Sequence, residues 1–432
     1  MHNSTRRGLL ALASAIAWSQ AATADDGHKE MTLDEVLAHA EANAPELAVA
    51  QQRAKRGDAE RVAAAPFFPS NPTLTLAGGG RFGGGQDGGD LEAGLMQELE
   101  VAGEPGLRRD AAERRAQAFD AELERARFSV HQRVHVSFHA ALIAQNAERG
   151  AEEVLKYADQ LLEIATKQVQ AGEASPLAGK LARSEVSRAK EQLLAAEQQS
   201  RTARLELALV TGMGGGAEVV PKGALPISKE TASLASLVAL ARESQPELRV
   251  RRAEIEAAKA DLALADREAF PKPALGVSYS AEGVAPGSTA TQQIVLGTVE
   301  IPLPFWRQND GARARAKAEL AVADAEERAV LLTLENRVAR AKARVDSDAK
   351  RLARHTEEVL PAVDENLKLM QQAFALGDAD ITAVMLARER LIAARREALA
   401  AYRDYFTALA ELAAEVGAEV TTDDHTAEGM KP

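Results

Sequence analysis

Leu91-Glu92-Ala93-Gly94-Leu95-Met96-Gln97-Glu98-Leu99-Glu100-Val101-Ala102-Gly103-Glu104-Pro105-Gly106-Leu107-Arg108-Arg109 is where the chain changes its hydrophobic period. Before Gly103, Leu91, Ala93, Leu95, Leu99 and Val101 alternate with Asp90, Glu92, Gly94, Glu98 and Glu100, which predicts a strand apolar on one face. Beyond it, Pro105–Ala171 runs 67 residues, interrupted only by Gly106 and Gly150. At 1.5 Å per residue such a helix is about 100 Å long. Its Val154, Ala158, Leu161, Ala165 and Val169 keep a coiled-coil-like spacing. Gly172 is a natural helix stop, Ser175 caps a new helix and Pro176 opens it, so a return helix 176–211 is expected up to Gly212. Upstream, a helical stretch Thr32–Ala65 is ended by prolines at 66, 69 and 72, and Thr73–Leu76 is a weaker first strand. The loop Gly78–Gly89 holds eight glycines in twelve residues but lacks the Gly-Lys-Ser/Thr of a phosphate-cradling loop, so it reads as the tip of a hairpin.

The whole pattern occurs twice. Asn43-Ala44-Pro45-Glu46-Leu47 returns as Ser244-Gln245-Pro246-Glu247-Leu248, 201 residues later. Phe68-Pro69 returns as Phe270-Pro271, and Gln97-Glu98-Leu99 as Val299-Glu300-Ile301, both at an offset of 202. Gln170-Ala171-Gly172-Glu173 matches Ala375-Leu376-Gly377-Asp378, Leu181-Ala182-Arg183 matches Leu386-Ala387-Arg388, and Thr211-Gly212 matches Val416-Gly417, all at 205. Slow drift of so long an offset means duplication with small insertions, and the period is far longer than that of a solenoid. The second copy therefore carries a hairpin over about 274–303, a long helix 310–376 with a kink expected at Pro361, a tip at Gly377–Asp380 and a return helix 381–416. The expected organisation is a signal peptide 1–24, a first repeat 25–230, a second repeat 231–418 and a polar tail 419–432.

Composition narrows the class. The 432 residues include no cysteine, which excludes a disulfide scaffold and thiolate metal sites. Aromatic residues are 4% against 46% hydrophobic overall, so the interior must be packed with Ala, Leu and Val. A net charge of −12 with no basic stripe argues against nucleic acid as a partner. Arg6 and Arg7, the apolar run Leu9–Trp18 and Ala22-Thr23-Ala24 have the layout of a secretory signal, read as an ordinary export signal despite a loose twin-arginine likeness. With no cysteine, a lipidated N-terminus is not expected.

Four amphipathic strands cannot close a barrel alone, since membrane barrels begin at eight. Open edges cannot face lipid, because each unpaired backbone group there costs several kcal/mol. Helices of about 100 Å also exceed a compact domain and must pack sideways on copies of themselves. The object that satisfies these constraints is an oligomeric tube. Several chains pooling their strands would close it, and three chains would give a twelve-stranded β-barrel, continued by an α-helical barrel (twelve helices for three chains); the expected fold class is mainly α with a membrane β-barrel.

Signal, duplicated halves, one hairpin per half, long helices and Gly-tipped helical hairpins together resemble the TolC family of outer-membrane efflux channels. The junction Leu95–Arg109 and its partner Val299-Glu300-Ile301-Pro302-Leu303-Pro304 are similar to those of the CzcC-like, heavy-metal branch. The resemblance implies a homotrimer in outer-membrane lipid, extending into the periplasm. It also implies a periplasmic adaptor docking at Gly172, Glu173, Ser175, Gly377, Asp378 and Asp380, and an inner-membrane, proton-driven RND-type transporter supplying the energy. Where family members place aspartates after the tip glycine, this chain has Ala383 and Leu386. The nearby acids are Glu173, Asp378 and Asp380, which become rings of three negative charges in a trimer, favourable to cations; alternatively Asp380 is a helix N-cap and Asp378 a solvated loop residue.

His131, His135 and His139 lie at i, i+4 and i+8 on one face of the first long helix, a spacing that lets neighbouring imidazoles share a metal weakly and transiently. A polar stripe is the plainer reading, and Leu334–Val338 of the second copy has no histidine. No G-x-S-x-G, Walker loop or H-E-x-x-H is present, the many charges sit as ion-pair faces, and neither catalysis nor a cofactor is expected. The same channel exporting drugs, small organics or protein, and a soluble periplasmic coiled-coil adaptor, are the competing functions.

Overall fold

A computed structural model describes residues 28–82, 88–172, 174–225, 230–284, 292–376 and 378–420. The signal peptide, Glu173, Gly377 and the tail from 421 lie outside the described residues. The first copy runs β1 (His28–Met31), α1 (Leu33–Asn43), α2 (Pro45–Ala54), α3 (Arg56–Ala64), β2 (Thr73–Arg81), β3 (Gly88–Glu98), α4 (Glu104–Ala171), α5 (Pro176–Thr211) and β4 (Glu218–Pro221). The second runs α6 (Leu234–Ser244), α7 (Pro246–Arg267), β5 (Ala274–Val284), β6 (Gln292–Glu300), α8 (Asp310–Ala353), a π-helical segment (Arg354–Val359), α9 (Leu360–Ala375) and α10 (Ile381–Val416). No described helix is long and apolar enough to cross a membrane.

Local chemistry sets the boundaries. Thr32 caps α1 in a capping box: its hydroxyl accepts from the Glu35 amide while Glu35 accepts from the Thr32 amide at 2.8 Å. Ser233 does the equivalent work for α6, accepting from the Ser236 amide at 3.2 Å. Pro45 and Pro246, each first in its helix, end the preceding one because the residue before proline avoids the helical region. Gly103 (φ 89) and Asn309 (φ 60) take left-handed backbone at matching points before the long helices. The kink expected at Pro361 is taken up one turn earlier, as the π-helical segment Arg354–Val359. Proline offers no N–H to the carbonyl four residues back, and a wider turn is one way a helix absorbs that loss.

The two hairpins lie side by side in one antiparallel sheet of order β2-β3-β5-β6, so its centre joins the two copies. The register puts Leu74, Leu95 and Val277 in one row across it, and Leu76, Ala93, Tyr279 and Val295 in the next. A second, two-stranded parallel sheet pairs β1 with β4. The strands are four residues each, too short for periodicity to reveal.

The cores are alanine-rich, as the composition requires. Val154, Ala158, Leu161 and Ala165 of α4 are buried, with Ala182 and Ala189 of α5 opposite them. One cluster is built by the first copy around Val36, Leu47, Val134 and Leu207, and another by the second around Leu237, Leu334, Tyr405 and Leu412. A third contains Leu161, Ala165 and Ala182 together with Leu367, Phe374 and Ile381, which sets the ends of the two helical hairpins against each other. Arg115 ties the copies near the sheet end, reaching Asp261 at 2.6 Å and Glu60 at 2.8 Å.

Candidate functional site

The sheet has two unlike faces. Leu74, Leu76, Leu91, Leu95, Leu275, Val277, Tyr279, Val295 and Val299 all project from one face and are exposed in the single chain. The other face is mixed: it carries Thr73, Thr75, Glu92, Ser278, Ser280 and Thr298 together with Met96, Ile294 and Leu296. Strands of 9 to 11 residues match the length a tilted membrane strand needs. In this single chain, β2 and β6 each pair on one side only.

Where sheet gives way to helix, the carboxylate of Glu100 is fully buried between two cations. Arg108 donates to it from the start of α4, and Lys272 approaches at 3.1 Å from the segment leading into β5. Glu104 is equally buried and accepts from the Ala102 amide at 2.8 Å. The strand-to-helix turn is thus clamped by acids on one copy and a lysine from the other. The alternation of the sequence shows Glu100 but not that it turns inward.

The helical tips are built unequally. After α4, Gly172 takes φ 77 and the Ala174 amide returns to the Gln168 carbonyl at 3.2 Å, closing the helix. Ser175 then caps α5, accepting from the Leu177 amide at 3.2 Å. In the second copy the Asp378 amide reaches back to the Ala373 carbonyl at 2.9 Å. Asp380 occupies the N-cap position of α10, yet its carboxylate takes no backbone N–H and instead accepts the Thr382 hydroxyl. The capping role the sequence offered for Asp380 is therefore filled by position alone. Ser175, Asp378 and Asp380 are exposed at the same end of the hairpins, while Glu173 and Gly377 lie outside the described residues. Eleven residues beyond Gly377, Arg388 is buried, its nearest carboxylate Glu185 at 3.9 Å. Burial pulls this guanidinium below its ordinary range, against the opposing pull of Glu185. Its counterpart in the first copy, Arg183, is exposed.

The histidine stripe divides. Nε2 of His135 lies 3.1 Å from Nε2 of His131, and Nε2 of His131 lies 3.1 Å from Oε1 of Glu419. His139 goes elsewhere: its Nδ1 donates to the His135 carbonyl at 2.8 Å and its ring stacks on Phe406, centroids 4.1 Å apart. The structure thus brings together His131, His135 and Glu419, not the three histidines. Glu419 stands first in the expected tail, and its neighbour Val420 is buried in the second copy's core. No local signal announces it, because 288 residues separate it from His131. Burial, and secondarily the His131 charge, pushes His135 down to about 4, so its ring is neutral at neutral pH. The bond from His131 is the first of the causes that hold the Glu419 carboxyl below its ordinary range.

A protein family described as outer membrane efflux protein matches residues 36–213 and 237–418, one segment in each copy. No curated protein sequence matches the chain. Among solved structures, CusC superposes with a TM-score of 0.69 at 17% identity, covering 89% of this chain and 92% of that one. The outer membrane protein VceC from Vibrio cholerae gives 0.67 at 17% identity over 89% and 96%. A membrane protein from Pseudomonas aeruginosa gives 0.70 at 18% identity over 90% of each chain.

Proposed function

Because the chain belongs to the outer membrane efflux protein family, a family of channels and not of enzymes whose place is the outer membrane, we propose that it is the exit duct of a tripartite pump for heavy-metal cations. Three copies complete the duct. The observation that carries this reading is the four-stranded sheet, apolar and exposed on one face and open at β2 and β6, mounted on paired long helices. Joining open edges in a ring satisfies the edge backbone and turns the apolar face to lipid. A periplasmic adaptor docks at the tips around Gly172, Ser175, Asp378 and Asp380, and an inner-membrane, proton-driven transporter supplies the energy. The duct itself is passive.

The metal cargo is supported by the likeness of the Leu95–Arg109 junction to the heavy-metal branch and by Asp378 and Asp380, exposed at the tip end where rings of negative charge favour cations. The test is a deletion strain challenged in parallel with zinc, cobalt, cadmium and copper salts and with a panel of drugs and dyes. Selective sensitivity to the metals, restored by the wild-type gene, is expected. Selective sensitivity to drugs assigns the same duct to organic cargo. Replacing Gly172 by Trp should abolish export while the oligomer still forms; loss of the oligomer would mean that this turn is not the docking tip.

A further inference from the structure

We propose that His131, His135 and Glu419 bind one divalent transition-metal ion per chain, a resident ion that fastens the segment after α10 onto α4. The inference goes beyond the cargo reading and stands without it.

The geometry is that of a first coordination sphere. Around a tetrahedral ion with metal–ligand bonds of about 2.1 Å, ligand atoms lie about 3.4 Å apart. The three donor atoms here are separated by 3.1, 3.1 and 3.8 Å. They are the one group among the described residues in which three potential metal donors converge so closely. His131 and His135 are one turn apart on a continuous helix, so neither side chain needs the chain to move in order to meet the other.

Hydrogen bonding alone serves this arrangement poorly. Nε2 of His131 faces both the Glu419 carboxylate and Nε2 of His135, and an imidazole nitrogen has a single in-plane position for a proton or a lone pair. If it donates to Glu419, it can accept nothing from His135; sharing one N–H between both acceptors leaves two bent, weak bonds. A cation at the centre takes a lone pair from each ring and charge from the carboxylate, so all three are satisfied at once. Two imidazoles select zinc, cobalt, nickel or copper over magnesium or calcium, which take oxygen ligands. Glu419 is 54% exposed, so water can reach the open fourth position and an ion has a way in.

The consequence is mechanical. The segment after Gly417 is held on its own copy through Ala418 and Val420. A bound ion ties it, and with it Val420 in the second copy's core, to a long helix of the first copy. His139 takes no part: its ring is committed to the stack with Phe406 and, beyond it, Tyr402.

The test is titration of the purified, detergent-solubilised, full-length protein with cobalt(II), whose visible spectrum reports coordination geometry, followed by competition with zinc. The expected result is one cobalt per chain with a tetrahedral spectrum. His135→Ala and Glu419→Gln should each weaken binding by about tenfold or more, and His139→Phe should bind as wild type. Zinc should raise the melting temperature of wild type and His139→Phe but not of Glu419→Gln, with far-UV circular dichroism showing each variant folded. Three results overturn the proposal: no cobalt bound by wild type, one ion per three chains, or His139→Phe as impaired as His135→Ala. Binding without any metal-sensitive phenotype upholds this site and removes the cargo reading; metal sensitivity without binding does the reverse.

Discussion

A methyl group placed on Gly212 would lie 2.1 Å from the carbonyl oxygen of Asn43. The residue that ends α5, just past Thr211, is thus pressed against the break between α1 and α2. The second copy repeats the contact, a methyl on Gly417 falling 2.5 Å from the Gln245 Cα, while the Ser244 hydroxyl donates to the Val416 carbonyl at 2.8 Å. Both glycines have positive φ, 82° and 77°. Left-handed backbone costs a non-glycine residue about 1–2 kcal/mol, and the overlap adds about 1–3 kcal/mol more. Gly172 has the same backbone, φ 77, but open space where a methyl would go. Gly212→Ala and Gly417→Ala should therefore melt well below Gly172→Ala, which itself falls only slightly below wild type. Thermal melts of the solubilised protein followed at 222 nm would show the order. Equal melting of all three would mean that the close approach is not tight.

Glu100 gives a second prediction at the junction of sheet and helices. Its carboxylate is fully buried between Arg108 and Lys272, whose side chains are 22% and 25% exposed. Removing one partner of a buried pair costs about 3–5 kcal/mol; the partial exposure of both cations lowers the expectation for Glu100→Gln to about 2–3 kcal/mol. Adding Lys272→Met to that variant should recover part of the loss, since one of the two stranded charges is gone. A double-mutant cycle with no coupling between positions 100 and 272 would dismiss the clamp.

How much of this could be read without coordinates follows from the range of each interaction. The strand alternation around Leu95, the cap at Ser175 and the stops at Gly172 and Gly212 are decided within a few residues, and they are where the pattern placed them. Repetition of those signals 201 to 205 residues later exposed the duplication. The break at Lys55 between α2 and α3 has no such mark, and α7 of the second copy runs through the equivalent region unbroken. The candidate metal site was half legible: the i, i+4 pair His131 and His135 is a local pattern, but helical spacing alone also offered His139, which packing against Phe406 takes away. Its replacement, Glu419, comes from the far end of the other copy. The inward turn of Arg388 is invisible for the same reason, since its equivalent Arg183 follows the same Leu-Ala pair but faces solvent.

That buried arginine supports a third prediction. Arg388 is 7% and Glu185 15% exposed, and at 3.9 Å the pair is too loose to repay full desolvation. Two nitrogens of Arg388, Nε and Nη1, find no hydrogen-bond partner. Exchanging both residues together for Met and Leu should leave the melting temperature unchanged or raise it, because apolar groups of similar volume pack without stranding a charge. Glu185→Gln alone should lower stability by about 2–3 kcal/mol, since the arginine then has no counter-charge nearby. If the double exchange instead destabilises the chain and breaks the oligomer, Arg388 is satisfied by a neighbouring copy rather than by Glu185.

The two faces of the sheet yield the last prediction, made on adjacent residues. Val277 lies on the apolar face in the row with Leu74 and Leu95, and Ser278 points to the opposite, more polar face, beside Leu296. If the apolar face meets lipid, Val277→Arg places a guanidinium in hydrocarbon at a cost of about 2–4 kcal/mol near the bilayer midplane. Ser278→Arg instead adds a cation to the lumen side, where water solvates it and where it opposes the passage of other cations. The expected outcome is that Val277→Arg fails to accumulate as a stable oligomer in the outer-membrane fraction. Ser278→Arg should accumulate normally and lower cation conductance in planar bilayers. Because the two positions are neighbours in β5, a general intolerance of arginine in that strand would harm both equally, and only an inserted barrel with this register harms one alone.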